Sequence, residues 1–374
     1  MAGIYLHIPF CRQKCFYCNF FSIASQKYRF EFVESLIREI LLRKEYLQEE
    51  PVKTIYFGGG TPSLLSAEEI NRIIDKINES FDVNADAEIT LEANPDDLNG
   101  VTISELKNSP VNRLSIGVQS FFKQDLEYLH RVHDEKQSIK SIQLALEAGF
   151  ENISMDLIYG IPTLTDKNWI GNLEKFISFG LPHLSAYALT VEPKTPLDNF
   201  IKKGRVKPVL DQKIVDQYNI LIEKISMIGF LQYEISNFCR EPFFSKHNKS
   251  YWTGEKYLGL GPSAHSFNGN SRQWNVSNVG RYIQSVNDGN PEFEVEALTV
   301  EQKFNEYILT SLRTMWGIDV NSIREEFGTK YLDHFQQQLA IHLQQGTIVN
   351  EGNIYKLSRS GKLFADGIAA DIFV

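Results

Sequence analysis

Three of the four cysteines in this 374-residue chain lie close together, in Cys11-Arg-Gln-Lys-Cys15-Phe-Tyr-Cys18. Sulfurs this near each other on one loop can turn toward a common point, which suits a metal or a cluster. Three thiolates are one short of the four that fill a structural zinc site or an ordinary four-iron cluster. A four-iron cluster on three cysteines keeps one iron open to an outside ligand. Zinc, with His7 as the fourth ligand, is the alternative on residue types alone. No secretory signal precedes the loop, which disfavours a disulfide. Cys239 stands apart and reads as a small buried residue.

Other residues could join such chemistry. Gly58-Gly59-Gly60-Thr61-Pro62 lets a ligand or another backbone approach closely; a plain tight turn is the competing reading. Glu92 precedes Ala-Asn-Pro at a strand's end, where a carboxylate can accept hydrogen bonds from ligand hydroxyls or simply be a solvated charge. Gln119 and Asp156 read the same way. Arg131 can meet a carboxylate through charge-assisted bonds, or be a surface arginine at a helix end.

These groups need elements to hold them. Residues 3–9 alternate, with Ile4, Leu6 and Ile8 facing one way and Tyr5 and His7 the other. They read as a strand that delivers the cysteine loop. Further strands are expected over 52–57, 87–91, 112–118, 152–157 and 183–189. Between them fall helices: one over 28–47 with Val33, Leu36, Ile37, Ile40 and Leu41 on one face, and one opened by the capping box Ser66-Ala-Glu-Glu69. Another spans 135–148, with Ile139, Ile142 and Leu146, and stops at Gly149. A helix over 167–178 ends near Gly180, and one carrying Ile214, Tyr218, Leu221 and Ile225 ends at Gly229. Six such alternations predict an α/β fold, an open, partial (β/α)6 barrel with parallel strands. The cysteine loop, the glycines, Glu92, Gln119 and Asp156 with Gly160 all fall at or just after the C-terminal ends of strands, where parallel barrels build their sites.

Residues 231–284 lose this regularity and are rich in aromatics, histidine and glycine. Gly289-Asn-Pro291 marks a boundary. Helices over 300–315, 320–327 and 329–345, two short strands around Ile348 and Ile354 and a last helix resemble a winged helix. Residues 301–374 hold 7 Lys+Arg against 9 Asp+Glu, which disfavours DNA binding. The expected organisation is a core barrel (1–230), a segment completing it (231–295) and a smaller, mostly helical, winged-helix-like C-terminal domain (296–374) that covers the open side.

Hydrophobic content of 43% and charged content of 23% are globular values. No apolar run is long enough to span a membrane. The start lacks a signal-peptide pattern, so a cytoplasmic protein with reduced thiols is expected. A net charge of −9 gives no affinity for nucleic acid or anionic lipid.

The cysteine triplet, with Tyr17 before its last member, resembles the signature of the radical S-adenosylmethionine (SAM) superfamily. Tyr5-Leu-His-Ile-Pro-Phe-Cys11, Tyr56-Phe-Gly-Gly-Gly-Thr-Pro62, Arg113-Leu-Ser-Ile-Gly-Val-Gln-Ser-Phe121 and Asp156-Leu-Ile-Tyr-Gly-Ile-Pro162 extend the resemblance to its oxygen-independent coproporphyrinogen III dehydrogenase group. The resemblance implies a [4Fe-4S] cluster on Cys11, Cys15 and Cys18. It implies SAM contacts at Tyr5, Gly59, Gly60, Thr61, Glu92, Gln119, Arg131 and Asp156, with Tyr17 beside the adenine. Two features depart from the dehydrogenase: Phe20 stands where that pattern has a fourth cysteine, and Tyr5 lies almost at the start, without the N-terminal extension. In addition, His247-Asn-Lys-Ser-Tyr-Trp252 is similar to the H-N-x-x-Y-W string of HemW-type heme chaperones. That implies a carrier, with no catalytic residue assigned, that hands heme to recipient hemoproteins, respiratory-chain proteins among them, with transient membrane association through a recipient. It also implies a heme site in 231–295, with His247 as an axial ligand and His265 as its rival. The alternative is an enzyme that converts coproporphyrinogen III propionates to vinyl groups.

Overall fold

The computed structural model describes residues 2–374. The first strand, β1 (Ala2–Ile8), sends Ile4, Leu6 and Ile8 outward into the core and leaves Tyr5 and His7 inside, as period-two alternation requires. It is followed by α1 (Arg29–Leu42), β2 (Val52–Gly59), α2 (Ala67–Ser80), β3 (Val83–Ala93), α3 (Gly100–Lys107) and β4 (Arg113–Gln119). Then come α4 (Lys123–Leu129), α5 (Glu135–Glu147), β5 (Asn152–Tyr159), α6 (Asp166–Phe179), β6 (His183–Ala188), α7 (Pro196–Lys202) and α8 (Asp211–Met227). The first six strands are parallel and adjacent in chain order. This is the open six-unit barrel that the strand–helix alternation predicts. The capping box of α2 forms, with the Glu69 N–H donating to Ser66 Oγ and the Ser66 N–H donating to Glu69 Oε2 at 2.7 Å.

Two helices differ from the pattern. The first stops at Leu42, not 47, just before Arg43, whose side chain turns inward and donates to Gln273 Oε1 at 2.6 Å. Leu41 lies off the buried face, which is Phe32, Val33, Ser35, Leu36, Glu39 and Ile40, and is 47% exposed. The buried face of α5 is Ser138, Ser141, Ile142 and Ala145, and Leu146 is left outside.

The larger correction concerns 231–284, which is not irregular. It holds β7 (Leu231–Gln232), β8 (Asn237–Cys239), α9 (Lys246–Trp252), β9 (Lys256–Leu260), β10 (His265–Phe267), β11 (Ser271–Asn275) and α10 (Val279–Asn287), with β12 (Phe293–Ala297) beyond. Strand β9 runs parallel beside β1, pairing Gly259 with Tyr5. The sheet therefore reads β12-β11-β10-β9-β1-β2-β3-β4-β5-β6-β8-β7 and does not close. Glycines in Tyr257-Leu-Gly-Leu-Gly break the alternation that marks a strand, yet they are what the pairing needs. A Cβ on Gly259 would lie 2.0 Å from the His265 carbonyl oxygen. Cys239 is buried, as its isolation suggested.

The remainder comprises α11 (Val300–Leu312), β13 (Ile318–Asp319), α12 (Val320–Glu326), α13 (Thr329–Gln344), β14 (Ile348–Glu351), β15 (Ile354–Leu357) and α14 (Ala365–Ile372). Its three strands form a small antiparallel sheet, β13-β15-β14, and its own core gathers Phe304, Ile308, Phe335 and Ile368. Among the described residues no helix is long and apolar enough to cross a membrane.

Candidate functional site

The cysteine loop is clasped at both ends. The Cys11 N–H donates to the Ile23 carbonyl at 3.0 Å, and the Ile23 N–H to that of Pro9 at 2.8 Å. Its middle is pinned to the α4 terminus, where Phe16 stacks on His130 with centroids 4.0 Å apart. Cys11, Cys15 and Cys18 are free thiols, half-buried on one cavity of about 440 Å³. That is the size of a small-molecule pocket. Burial, with the neighbouring Cys15 and Cys11 sulfurs adding to it, pushes the Cys18 thiol up to about 11. Thiols that resist ionisation this way become thiolates when a metal or cluster supplies the positive charge. Among the described residues no three His, Cys, Asp or Glu side chains converge tightly enough for a single metal ion. His7 is turned away from the thiols' role in any case: its Nε2 bonds the Phe21 carbonyl at 2.8 Å and its Nδ1 the Tyr5 hydroxyl at 3.2 Å.

Room for such a group is built into the backbone. A Cβ on Gly60 would meet the Phe10 carbonyl at 2.6 Å and Cys11 Sγ at 3.1 Å. Arg131 borders the same space. Its Nη1 lies 3.4 Å from Cys15 Sγ, and its Nη2 donates to Asn94 Oδ1 at 2.6 Å and the Gly117 carbonyl at 2.8 Å. Its buried Nε has no partner. A buried donor left unpaired beside a cavity fits a ligand acceptor. Burial lowers the guanidinium's pKa, but Tyr17, then Cys15 and Asp96, outweigh it and hold it above its ordinary value.

Two carboxylates line the same cavity. Burial, then the charge of Asp156, pushes Glu92 up to about 7, although Tyr56 donates to its Oε1 at 2.7 Å. Burial likewise pushes Asp156 up to about 6, although Ser115 donates to it at 3.1 Å. Both are acids kept near neutrality in a cleft, the state of groups that await a partner. Gln119 holds a left-handed backbone, φ +67°, at the end of β4. Gly59, Thr61 and Tyr17 complete the part of the wall that the sequence anticipates.

Tyr5 and His247 are not in this cavity. Tyr5 lies a layer below, stacked on Tyr56 and His247. His247 sits deep in the lumen on α9, which plugs the N-terminal end of the barrel. Its Nδ1 bonds Thr54 Oγ1 at 2.7 Å and its Nε2 bonds the Tyr251 hydroxyl at 2.9 Å. The residue is 1% exposed, and burial, with Arg113 adding to it, lowers its pKa to about 3. Neither nitrogen is open to iron in this arrangement, so the ligand role expected of His247 is not the one its surroundings support. The motif instead fills the barrel floor.

Reasoning from motifs alone missed Ser115, Gly117, Asn94 and Tyr187 on the cavity wall. A signal existed. In Arg113-Leu-Ser-Ile-Gly-Val-Gln119 every second residue faces inward, so Gln119 marks Ser115 and Gly117 as lumen residues. His183, Ser185 and Tyr187 alternate on β6 in the same way.

The chain matches the model of the Radical SAM superfamily over residues 5–176 and that of the HemN C-terminal domain over 298–364. Heme chaperone HemW of Bacillus subtilis is 36% identical over 98% of both chains. Heme chaperone HemW of Escherichia coli is 31% identical over 98% of this chain and 96% of its own. Among solved structures, coproporphyrinogen III oxidase (HemN) from Escherichia coli, described as a radical SAM enzyme, superposes with a TM-score of 0.85 at 24% identity. It covers all of this chain and 90% of its own, a likeness of fold. Identity of this level along the whole length, on a barrel with a three-cysteine cavity at its mouth, shows that the chain belongs to the HemW heme chaperone family, within the radical SAM superfamily.

Proposed function

We propose that this protein binds heme and passes it to recipient hemoproteins, and that it carries a [4Fe-4S] cluster on Cys11, Cys15 and Cys18 with SAM in the adjoining cavity. The observation that carries the proposal is the meeting of three free thiols, the unpaired Arg131 Nε and two near-neutral carboxylates around one cavity, in a chain alike along its whole length to proteins named heme chaperones. Cys11, Cys15 and Cys18 would hold the cluster, whose open iron would supply a site for the amino and carboxylate groups of SAM and an electron for reductive chemistry on it. The chain's own residues do the rest. Gly59 and Gly60 leave backbone close to the ligand's amino group, Arg131 offers Nε to its carboxylate, and Glu92 accepts from its ribose hydroxyls. Thr61, Gln119, Asp156 and Tyr17 shape the remaining wall. Residues 1–230 form the core in this reading, 231–295 complete it, and 296–374 pack beside it. A cytoplasmic site of action and recipients in the respiratory chain belong to the same proposal.

The dehydrogenase reading is not favoured. Phe20, where that pattern has a fourth cysteine, is a 61% exposed ring on the cavity rim. The test is anaerobic reconstitution followed by two assays. Hemin should give a Soret band that stays with the protein through desalting. Coproporphyrinogen III with SAM and reductant should give no vinyl product. Turnover without retained heme would reverse the assignment.

A further inference from the structure

Resting on the heme-carrier reading above, we propose that His265, not His247, presents the imidazole that binds heme iron. The site is the inner face of the sheet where it extends past β1, beside the mouth of the cysteine cavity.

The strand register fixes which way His265 points. Gly3 faces the lumen, since a Cβ there would lie 3.2 Å from the His247 ring. Gly3 pairs with Tyr257, and Tyr257 with Phe267. Residues directly opposite share a face, so Phe267 is on the lumen side, and so is His265 two residues away. Because β10 runs antiparallel to β9, His265 is displaced from Phe267 toward the C-terminal ends of the parallel strands, where the cysteine loop begins. It lies close enough to His7 for its charge to lower the His7 pKa further.

This imidazole is free where that of His247 is not. His265 is exposed, and among the described residues neither ring nitrogen has a hydrogen-bond partner. Its ring stacks on Trp274, its partner across β10 and β11, with centroids 6.1 Å apart and planes at 29°. An aromatic face next to an open imidazole suits a flat apolar macrocycle with a metal at its centre.

The loop that carries it is held still. A Cβ on Gly261 would meet the His7 carbonyl at 2.5 Å, so Gly261 packs directly on β1. The buried Glu39 carboxylate accepts from the Gly261 N–H at 2.8 Å, from Asn275 Nδ2 at 2.7 Å and from the Tyr282 hydroxyl at 2.7 Å. Three donors from three elements on one buried carboxylate pre-organise the segment that ends in His265. Gly-Leu-Gly-Pro-Ser-Ala-His is thus a mount for one exposed ring.

The experiment is hemin titration of the full chain, wild type against His265→Ala and Trp274→Ala. His265→Ala should weaken ferric heme binding by about tenfold or more and shift the Soret maximum. Adding free imidazole should restore the wild-type spectrum to His265→Ala, a rescue that a purely structural loss would not show. Trp274→Ala should weaken binding with the Soret maximum unmoved. If wild type retains hemin and His265→Ala keeps both its affinity and its spectrum, the ligand assignment is overturned. If wild type retains no hemin, the heme-carrier reading itself fails, which is a different result.

Discussion

At the floor of the barrel the lumen holds Glu88, His183 and His247; two layers higher it holds Glu92, Asp156 and Arg131. The residue types are similar and the strands are the same, but the floor is satisfied within the protein. Glu88 accepts the first amides of α9, from Lys246 and His247, both at 3.1 Å. His183 spans Ser154 at 2.7 Å and Tyr233 at 2.8 Å, as His247 spans Thr54 and Tyr251. Among the described residues, Arg113 Nε, with Glu88 3.9 Å away, Thr90 Oγ1 and Asn152 Oδ1 are left without hydrogen-bond partners. At the mouth, by contrast, thiols, an arginine and two acids border open space. A motif rich in chemical residues marks a ligand site only where the protein leaves those residues unfinished.

The largest effect should come from the mouth. Changing Cys11, Cys15 or Cys18 to Ser should abolish stoichiometric iron and sulfide after anaerobic reconstitution, while far-UV dichroism stays native. Retention of full iron and sulfide by any one of the three would break the contrast between mouth and floor. His247→Leu should do the reverse. It leaves Thr54 and Tyr251 without their buried partner and should lower unfolding stability by about 2–4 kcal/mol, read from denaturant midpoints, with the iron content unchanged. A variant of wild-type stability would mean that the floor is not a structural network.

A third prediction sharpens the role of Glu92. Its folded pKa, about 7, is raised from an ordinary 4.5 by burial and by Asp156, with Tyr56 and Arg113 opposing. The sign follows from linkage. The protonated buried acid stabilises the fold below about 4.5, and that contribution, of order 3 kcal/mol, is lost as pH rises through about 7. Ribose hydroxyls donate to the ionised form, so SAM should bind more tightly as pH rises from about 6 to about 8. Glu92→Gln should flatten this profile and weaken binding by about 1–3 kcal/mol at the upper end. Calorimetry across that range measures both; a wild-type affinity independent of pH would remove Glu92 from the ligand's contacts.

How far the sequence could be read follows from the same contrast. Strands β1 to β6 were legible because apolar alternation and short connections repeat six times. Their C-terminal ends were legible too, because cysteines, glycines and acids gather there. Strands β9 and β10 were hidden by Gly259 and Gly261, whose lack of a side chain signals a turn locally but serves close packing of one strand on another. The surroundings of His247 were illegible for a different reason. Its neighbours Tyr251 and Trp252 indicate an aromatic environment, and no local pattern tells whether such an environment is a plug or an open pocket. Only the tertiary partners, Thr54 on β2 and Glu88 on β3, decide it.

The smallest effect concerns Gln119, where fold and site pull in opposite directions. A non-glycine residue at φ +67° costs about 1–2 kcal/mol relative to an unstrained backbone. The register between β4 and β5 slips between Ile116 and Gln119, so the strand leaves regular pairing just as it reaches the cavity. The side chain gained there borders Gly117 and the Arg131 fork: a Cβ on Gly117 would lie 3.0 Å from Gln119 Nε2 and 3.3 Å from Arg131 Nη2. If the strain is kept for the sake of that side chain, Gln119→Gly should raise stability by about 0.5–1 kcal/mol while weakening SAM binding. Gln119→Ala should weaken binding equally and bring no such gain, because alanine keeps the strained backbone. Paired thermal melts and SAM titrations separate the two terms. Equal melting temperatures for the two variants would show that the left-handed turn at the end of β4 carries no strain to release.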